Sequence, residues 1–247
     1  MILSSFNKSG IAIDFGQTKI TGSKIINGKF SNSITNTSLF ENNPSNYVKN
    51  IEKLISDLEP KKNTKIGIAI SGRVDSVGNW YAVNNNNLGI FKIPLKKLLQ
   101  RKYNSKITVM NDASASCLGE AIFGAGKKFK RVGYITVSTG IGVGICLDSR
   151  PFLSTRGLAS HLGFTTSRLG KSKCGSGRFG TYESLASGKA IELEAKIQGY
   201  KNLTAKDIYD HHLQNKKWAE KIINLSAKSI AELCANIKST FDIDVIV

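Results

Sequence analysis

Acid is what this sequence is short of. Eighteen Asp and Glu stand against 35 Lys and Arg in 247 residues, a formal net charge of +17. Such an imbalance favours anionic partners in general: nucleic acid, phosphorylated ligands or anionic membrane. The cations, however, run along the whole chain. They gather only into short clusters, such as Lys61-Lys62 and Lys127-Lys128-Phe129-Lys130-Arg131, and aromatics do not interleave with them as a single-strand binder requires. Asn is abundant as well, so a compositional bias toward Lys and Asn accounts for the charge. No specific nucleic-acid partner is expected.

Cysteine and proline are scarce too, at four residues each. The cysteines (Cys117, Cys146, Cys174, Cys234) are scattered, and three sit in apolar helix or strand patterns, so reduced thiols in a cytoplasmic protein are expected rather than a disulfide frame. No apolar run approaches the length of a membrane span, and Met1–Lys8 contains too short a one for a secretory signal. No membrane partner is expected. A Walker loop is missing, since G-x-x-x-x-G-K-[ST] occurs nowhere. Gly175, Gly177 and Gly180 satisfy G-x-G-x-x-G, but no strand pattern precedes them, which argues against a dinucleotide fingerprint.

What is present reads as a globular α/β chain, long enough for one large domain or two small ones. Ile11-Ala12-Ile13 is a strand running into Asp14-Phe15-Gly16-Gln17-Thr18-Lys19, with Ile20–Ile26 a second strand and Asn27-Gly28 a hairpin turn. An acid, a glycine, a hydroxyl and a lysine at such a turn suit phosphates and magnesium, with Asp14 reaching the ion through water. Tyr47, Val48, Ile51, Leu54, Ile55 and Leu58 recur at helical spacing, and Lys65–Ile70 is a strand ending in Ser71-Gly72-Arg73. Ser138-Thr139-Gly140-Ile141-Gly142-Val143-Gly144 follows the strand Val132–Val137 and repeats the glycine-hydroxyl logic of the first turn. Thr204 and Asp207 are spaced as a capping box, and His211 and His212 lie on polar sequence, as surface residues do.

The centre of the pattern is Val109-Met110-Asn111-Asp112-Ala113. Ile107 and Val109 alternate as strand residues, and a helical run, Ala113–Phe123, follows at once. Asn111 and Asp112 thus fall at the carboxyl end of a strand, where open α/β sheets place ligands. Asp112 suits a general base that takes a proton from a hydroxyl. On these five residues alone a helix cap, through the side-chain oxygen, is the commoner role for such an Asp, and the rest of the chain decides between the two.

Asp14-Phe15-Gly16-Gln17-Thr18-Lys19, Asn111-Asp112-Ala113, Ser138-Thr139-Gly140-Ile141-Gly142 and Glu183-Ser184-Leu185-Ala186-Ser187-Gly188 occur in one order that resembles the ROK family of sugar kinases. The resemblance implies the actin-like ATPase (ribonuclease H-like) fold: two α/β lobes with a cleft between them, residues 1–113 and 114–247. It implies phosphoryl transfer from ATP with Mg2+ to the 6-hydroxyl of a sugar. Asp112 would be the base, and Ser71, Gly72, Asn87, Asn111, His161 and Glu183 the sugar-binding residues. Asp14, Gly16, Gln17, Thr18 and Lys19, with Thr139, Gly140, Ile141, Gly142 and Gly144, would hold the nucleotide. Glucokinases of the family usually carry Glu where His161 stands, so an N-acetylated amino sugar is expected before glucose. The partners implied are small molecules, with a homodimer as the assembly.

The sequence also departs from the family. The family's zinc site is a Gly-His followed by C-x-C-x-x-x-x-C; here Phe164 stands at the His position, Ser176 and Thr181 at two Cys positions, and only Cys174 remains. One thiolate cannot make a tetrahedral zinc site, so no structural zinc is expected. Gln17 and Val143 interrupt the glycines of the two turns. The family's Gly-Gly adenosine loop and closing helices have no counterpart before Val247, so the chain reads as truncated on its ATP side.

Overall fold

The structure is a computed structural model that describes residues 9–16, 19–37, 44–83 and 90–247. The chain divides into two compact units. One comprises residues up to Ala115 together with Leu153–Ala159, and the other Ser116–Phe152 with Ser160–Val247.

In the first unit β1 (Gly10–Phe15), β2 (Lys19–Ile26) and β3 (Lys29–Thr37) form an antiparallel meander. Asn27 and Gly28 both take positive φ, 52° and 79°, as the two-residue hairpin requires. α1 (Pro44–Asp57) precedes β4 (Ile66–Ile70), and the short strands β5 (Arg73–Val74), β6 (Trp80–Val83) and β7 (Ile90–Ile93) make a separate antiparallel sheet. α2 (Leu95–Tyr103), β8 (Ile107–Asn111) and α3 (Asp112–Ile122) follow. The main sheet has the order β3-β2-β1-β4-β8, with β1, β4 and β8 mutually parallel.

The period-two pattern explains the burial. Ile11, Ile13 and Phe15, Ile66, Ile68 and Ile70, and Ile107 and Val109 form one core with Ile51, Leu54, Ile55, Leu58, Leu95 and Leu99. Full burial of each such aliphatic contributes roughly 1.5–3 kcal/mol. β1 is longer than the sequence pattern suggested. Asp14 is a strand residue, paired with Thr21 and Ala69, and the turn begins only at Gly16. Phe15, Tyr47 and Trp80 meet edge to face, with centroids 5.6–6.2 Å apart. From that cluster the Trp80 Nε1–H donates to the Ser71 carbonyl at 2.9 Å.

The second unit is built on β9 (Arg131–Val137), β10 (Ile141–Leu147), β11 (Arg150–Pro151), α4 (Glu183–Ala186), α5 (Gly188–Ile197), α6 (Ala205–Leu213), α7 (Lys217–Phe241) and β12 (Val245–Ile246). Its sheet runs β11-β10-β9-β12, with β12 parallel to β9. Ile141, Val143 and Ile145 pack with Tyr182, Ala186, Leu233, Ile237 and Ile243. The Thr204–Asp207 capping box forms.

Two expectations need correction here. His211 and His212 are half-buried, not surface residues; the His211 ring lies 5.3 Å from Trp218 and that of His212 6.0 Å from Tyr209. The second glycine turn is also shorter than its sequence, because β10 already starts at Ile141. Gly142 and Gly144 are ladder residues opposite Thr136 and Tyr134, and buried Val143 pairs with Ile135 as an ordinary strand residue. All four cysteines are free thiols. Among the described residues no helix is long and apolar enough to cross a membrane.

Candidate active site

Because β1, β4 and β8 are parallel neighbours, their carboxyl ends bring three sequence-predicted segments together in the first unit. Ile70 pairs with Asn111, which sets Ser71-Gly72 beside Asn111-Asp112, and Asp14 lies near the end of β1. The Asn111 Nδ2 donates to the Gly72 carbonyl at 2.8 Å and to Asp112 Oδ1 at 2.9 Å. Its own Oδ1 accepts the Ser114 N–H at 3.2 Å. Ser114 is the third residue of α3, so the cap contact belongs to Asn111. Asp112 is the first helical residue, and its Oδ1 takes the Ala113 N–H at 2.8 Å. Asn111 and Asp112 thus share the first-turn N–H groups of α3, and the Asp112 Oδ2 is not part of that contact.

The Ser71-Gly72 loop is pinned from three sides. Ser71 N–H donates to the Phe15 carbonyl at 3.0 Å, Trp80 holds the Ser71 carbonyl, and Asn111 holds that of Gly72. Gly72 has φ +102°, a conformation that a side chain would strain. Arg73 is engaged in packing: its Nη1 donates to the Arg156 carbonyl at 2.8 Å, and its Cζ sits 3.7 Å over the Tyr81 ring.

The electrostatics single out the two aspartates. Burial raises the Asp112 carboxyl above the ordinary carboxylate range, and the charge of Asp14 pushes it further; the Ala113 N–H and Asn111 pull the other way. Asp14 is open to solvent on one side, yet its protein surroundings raise its carboxyl as well, with Lys19 opposing. The charges of Asp14 and Asp112 act on one another. Among the described residues no cluster of three or more His, Cys, Asp or Glu offers a complete metal site, so a divalent cation on Asp14 would need phosphate oxygens and water to finish its shell.

In the second unit the turn Ser138–Gly140 closes with the Ser138 N–H on the Gly140 carbonyl at 2.9 Å, leaving Thr139 exposed. Glu183 Oε2 accepts the Ile141 N–H at 3.1 Å. A Cβ on Gly140 would come within 2.6 Å of that oxygen, so glycine is what lets the carboxylate approach. Burial raises the Glu183 carboxyl, while the Ile141 and Gly175 N–H groups oppose the shift. Gly188 N–H donates to the Ser138 carbonyl at 2.8 Å. The two ends of the Glu183–Gly188 motif thus clasp the turn, and Gly188 is a site-building residue that sequence reasoning missed. Its place in a recurring motif was the available signal.

His161 immediately precedes a single 3-10 turn, Leu162–Phe164. Its ring lies parallel to Phe164, 7° between planes and 6.1 Å between centroids. Zinc does not fit here. Besides Phe164, Thr181 is fully buried with its hydroxyl accepting the Ser184 N–H at 3.2 Å, and Ser176 meets Cys174 at 3.0 Å. Gln17, Thr18 and Asn87 lie outside the described residues.

A strand-end aspartate and a clasped glycine turn meet a direct match to the ROK family over residues 10–247. This chain belongs to the ROK family. Among its ROK relatives is the N-acetylmannosamine kinase of Haemophilus influenzae, strain PittGG, 31% identical over 94% of this chain and 77% of that protein. The N-acetylmannosamine kinase of Vibrio cholerae is 29% identical, over 96% of this chain and 82% of its own. A ROK glucokinase from Streptomyces griseus, solved with glucose and AMPPNP, superposes with a TM-score of 0.78 at 23% identity, covering 96% of this chain and 81% of that one. The ROK fold of that structure is the actin-like ATPase fold, and the present chain shares it.

Proposed function

We propose that this ROK chain is a sugar kinase that phosphorylates the 6-hydroxyl of N-acetylmannosamine with ATP, as in sialic acid degradation. The observation that carries the reading is Asp112, a carboxylate raised by burial at the carboxyl end of β8, beside the Ser71-Gly72 loop that Asn111 holds. The likeness to N-acetylmannosamine kinases over most of the chain supports the substrate. Asp112 accepts the proton of the sugar hydroxyl as the oxygen attacks phosphorus. On the family resemblance, Ser71, Gly72, Asn87, Asn111, His161 and Glu183 are the residues assigned to the sugar. Gly16, Gln17, Thr18 and Lys19, with Thr139, Gly140, Ile141, Gly142 and Gly144, belong to nucleotide recognition. Of these, exposed Thr139 and the Gly140 backbone fit phosphate contact directly, whereas Gly142 and Gly144 act by building β10. Asp14 would hold magnesium through water, and the ion would supply charge neutralisation on the phosphates. A cytoplasmic place and a homodimer belong to the same reading and rest on family resemblance alone.

A coupled assay over N-acetylmannosamine, N-acetylglucosamine and glucose tests the proposal. The expected result is preference for N-acetylmannosamine, with Asp112→Asn losing about 10²–10⁴-fold in kcat. His161→Glu should move preference toward glucose. Equal rates on all three sugars, or an unchanged Asp112→Asn variant, would overturn it. The alternative favoured by the solved glucokinase, a ROK hexokinase for glucose, gives the reverse sugar order.

A further inference from the structure

One carboxylate on α7 holds both stretches of chain that lead to the sugar-assigned residues of the second unit. Glu232 Oε2 accepts the Ser167 hydroxyl at 2.7 Å, and its Oε1 accepts the Arg168 Nε–H at 3.2 Å. Tyr182, 2% exposed, hydrogen-bonds the same carboxylate; burial and the Glu232 charge hold its phenol above the ordinary tyrosine range. The phenol oxygen accepts the Asn236 Nδ2–H at 2.7 Å. Glu232 and Asn236 are four residues apart, so they share one face of α7 and both reach Tyr182 from it. The phenol's one hydrogen goes to Glu232 and its oxygen takes Asn236, which makes a continuous chain of donors and acceptors.

Backbone pairing carries this tie to the site. Ser167 N–H donates to the Gly180 carbonyl at 2.8 Å and Tyr182 N–H to the Thr165 carbonyl at 3.2 Å, with an antiparallel bridge between Thr166 and Thr181. Residues 165–167 and 180–182 therefore run side by side. His161 stands four residues before the first stretch and is joined to it through the 3-10 turn, where Phe164 N–H meets the His161 carbonyl at 3.2 Å. Glu183 directly follows the second stretch. Zinc, which the family's sequence pattern would place on this loop, finds no ligand set among Phe164, Ser176 and Thr181. From these contacts we infer that Glu232 is a positioning residue: with Tyr182 it fastens the paired stretches to α7 and so sets His161 and Glu183 for the sugar. The Arg168 contact adds little, because that side chain is 84% exposed and its charge is screened by solvent.

The inference rests on His161 and Glu183 holding the sugar, and its test separates the two. Glu232→Ala removes every acceptor, Glu232→Gln keeps one oxygen, and Tyr182→Phe removes only the phenol hydroxyl. If Glu232 positions the site, the Ala variant raises the sugar KM by about 10-fold with kcat within about 2-fold, and the Gln variant falls between Ala and wild type. Ser167→Ala added to Glu232→Ala should raise KM no further, because the two side chains act as one contact. A lower melting temperature with the sugar KM held, or losses that add in full, would overturn the proposal by making Glu232 a general stabiliser. Hydrogen exchange in sugar-free protein reads the anchoring without turnover. Faster exchange across residues 165–183, with α6 unchanged, is expected in Glu232→Ala and, should that chain fail to fold, in Tyr182→Phe. Unmoved exchange there overturns the role. A wild-type chain that phosphorylates no sugar, in a protein whose variants still show the exchange change, would fail the functional reading and not this one.

Discussion

Glu183 and Ile141 are joined across 42 residues of sequence by one hydrogen bond, the Ile141 N–H to Glu183 Oε2 at 3.1 Å. The carboxylate meets the first residue of β10 at the foot of the glycine turn, where only Gly140 leaves it room. Glu183 is thus both a turn-holding residue and, under the proposed function, a sugar contact.

The two roles separate by substitution. Glu183→Gln keeps an oxygen for the Ile141 N–H, so its melting temperature should stay near wild type while the sugar KM rises. Glu183→Ala leaves that half-buried donor without its partner, a loss of about 1–3 kcal/mol of stability. Thermal melts beside steady-state kinetics check both. Equal destabilisation by Gln and Ala would show that the carbonyl oxygen does not suffice.

Asp112 should cost the fold stability at neutral pH. Its folded pKa is raised, so between the ordinary carboxylate value and that raised value the folded chain keeps a proton that the unfolded chain has released. Stability from this group is therefore highest below the ordinary value and falls as pH rises through the window. Asp112→Asn, which cannot ionise, should melt higher than wild type at pH 7, with the gain vanishing below about pH 4. Melts across pH would refute this if the difference were constant.

Chelation should leave the loop that bears His161 in place. That loop is held by the His161–Phe164 stack, by the bridges Thr166↔Thr181 and Lys173↔Phe179, and by the Ser167 hydroxyl on Glu232 at 2.7 Å. Exhaustive treatment with a zinc chelator, followed by restoring magnesium, is expected to change neither melting temperature nor sugar KM. A drop in either, reversed by zinc, would contradict it.

Much of this was legible in the residues because the signals are local. Alternating Ile and Val at 107–109, Asn27-Gly28, and the Thr204–Asp207 spacing each act within a few residues, where backbone preference and side-chain period decide the outcome. Gly142 and Gly144 read as turn residues for the same reason. Glycine marks where a backbone can bend, and only pairing with β9 shows that it stays extended.

By itself, then, the sequence determined the α/β class, the motif order that belongs to the ROK family, and the strand-to-helix junction at Asn111-Asp112. Tertiary structure decided how that junction works. Both residues take N–H groups at the start of α3, but the Asn111 amide nitrogen also reaches the Gly72 carbonyl, 39 residues away in sequence. Packing of β4 beside β8 supplies that acceptor. Burial, which raises Asp112 and Glu183 together, is likewise a property of the packed fold rather than of any stretch of chain.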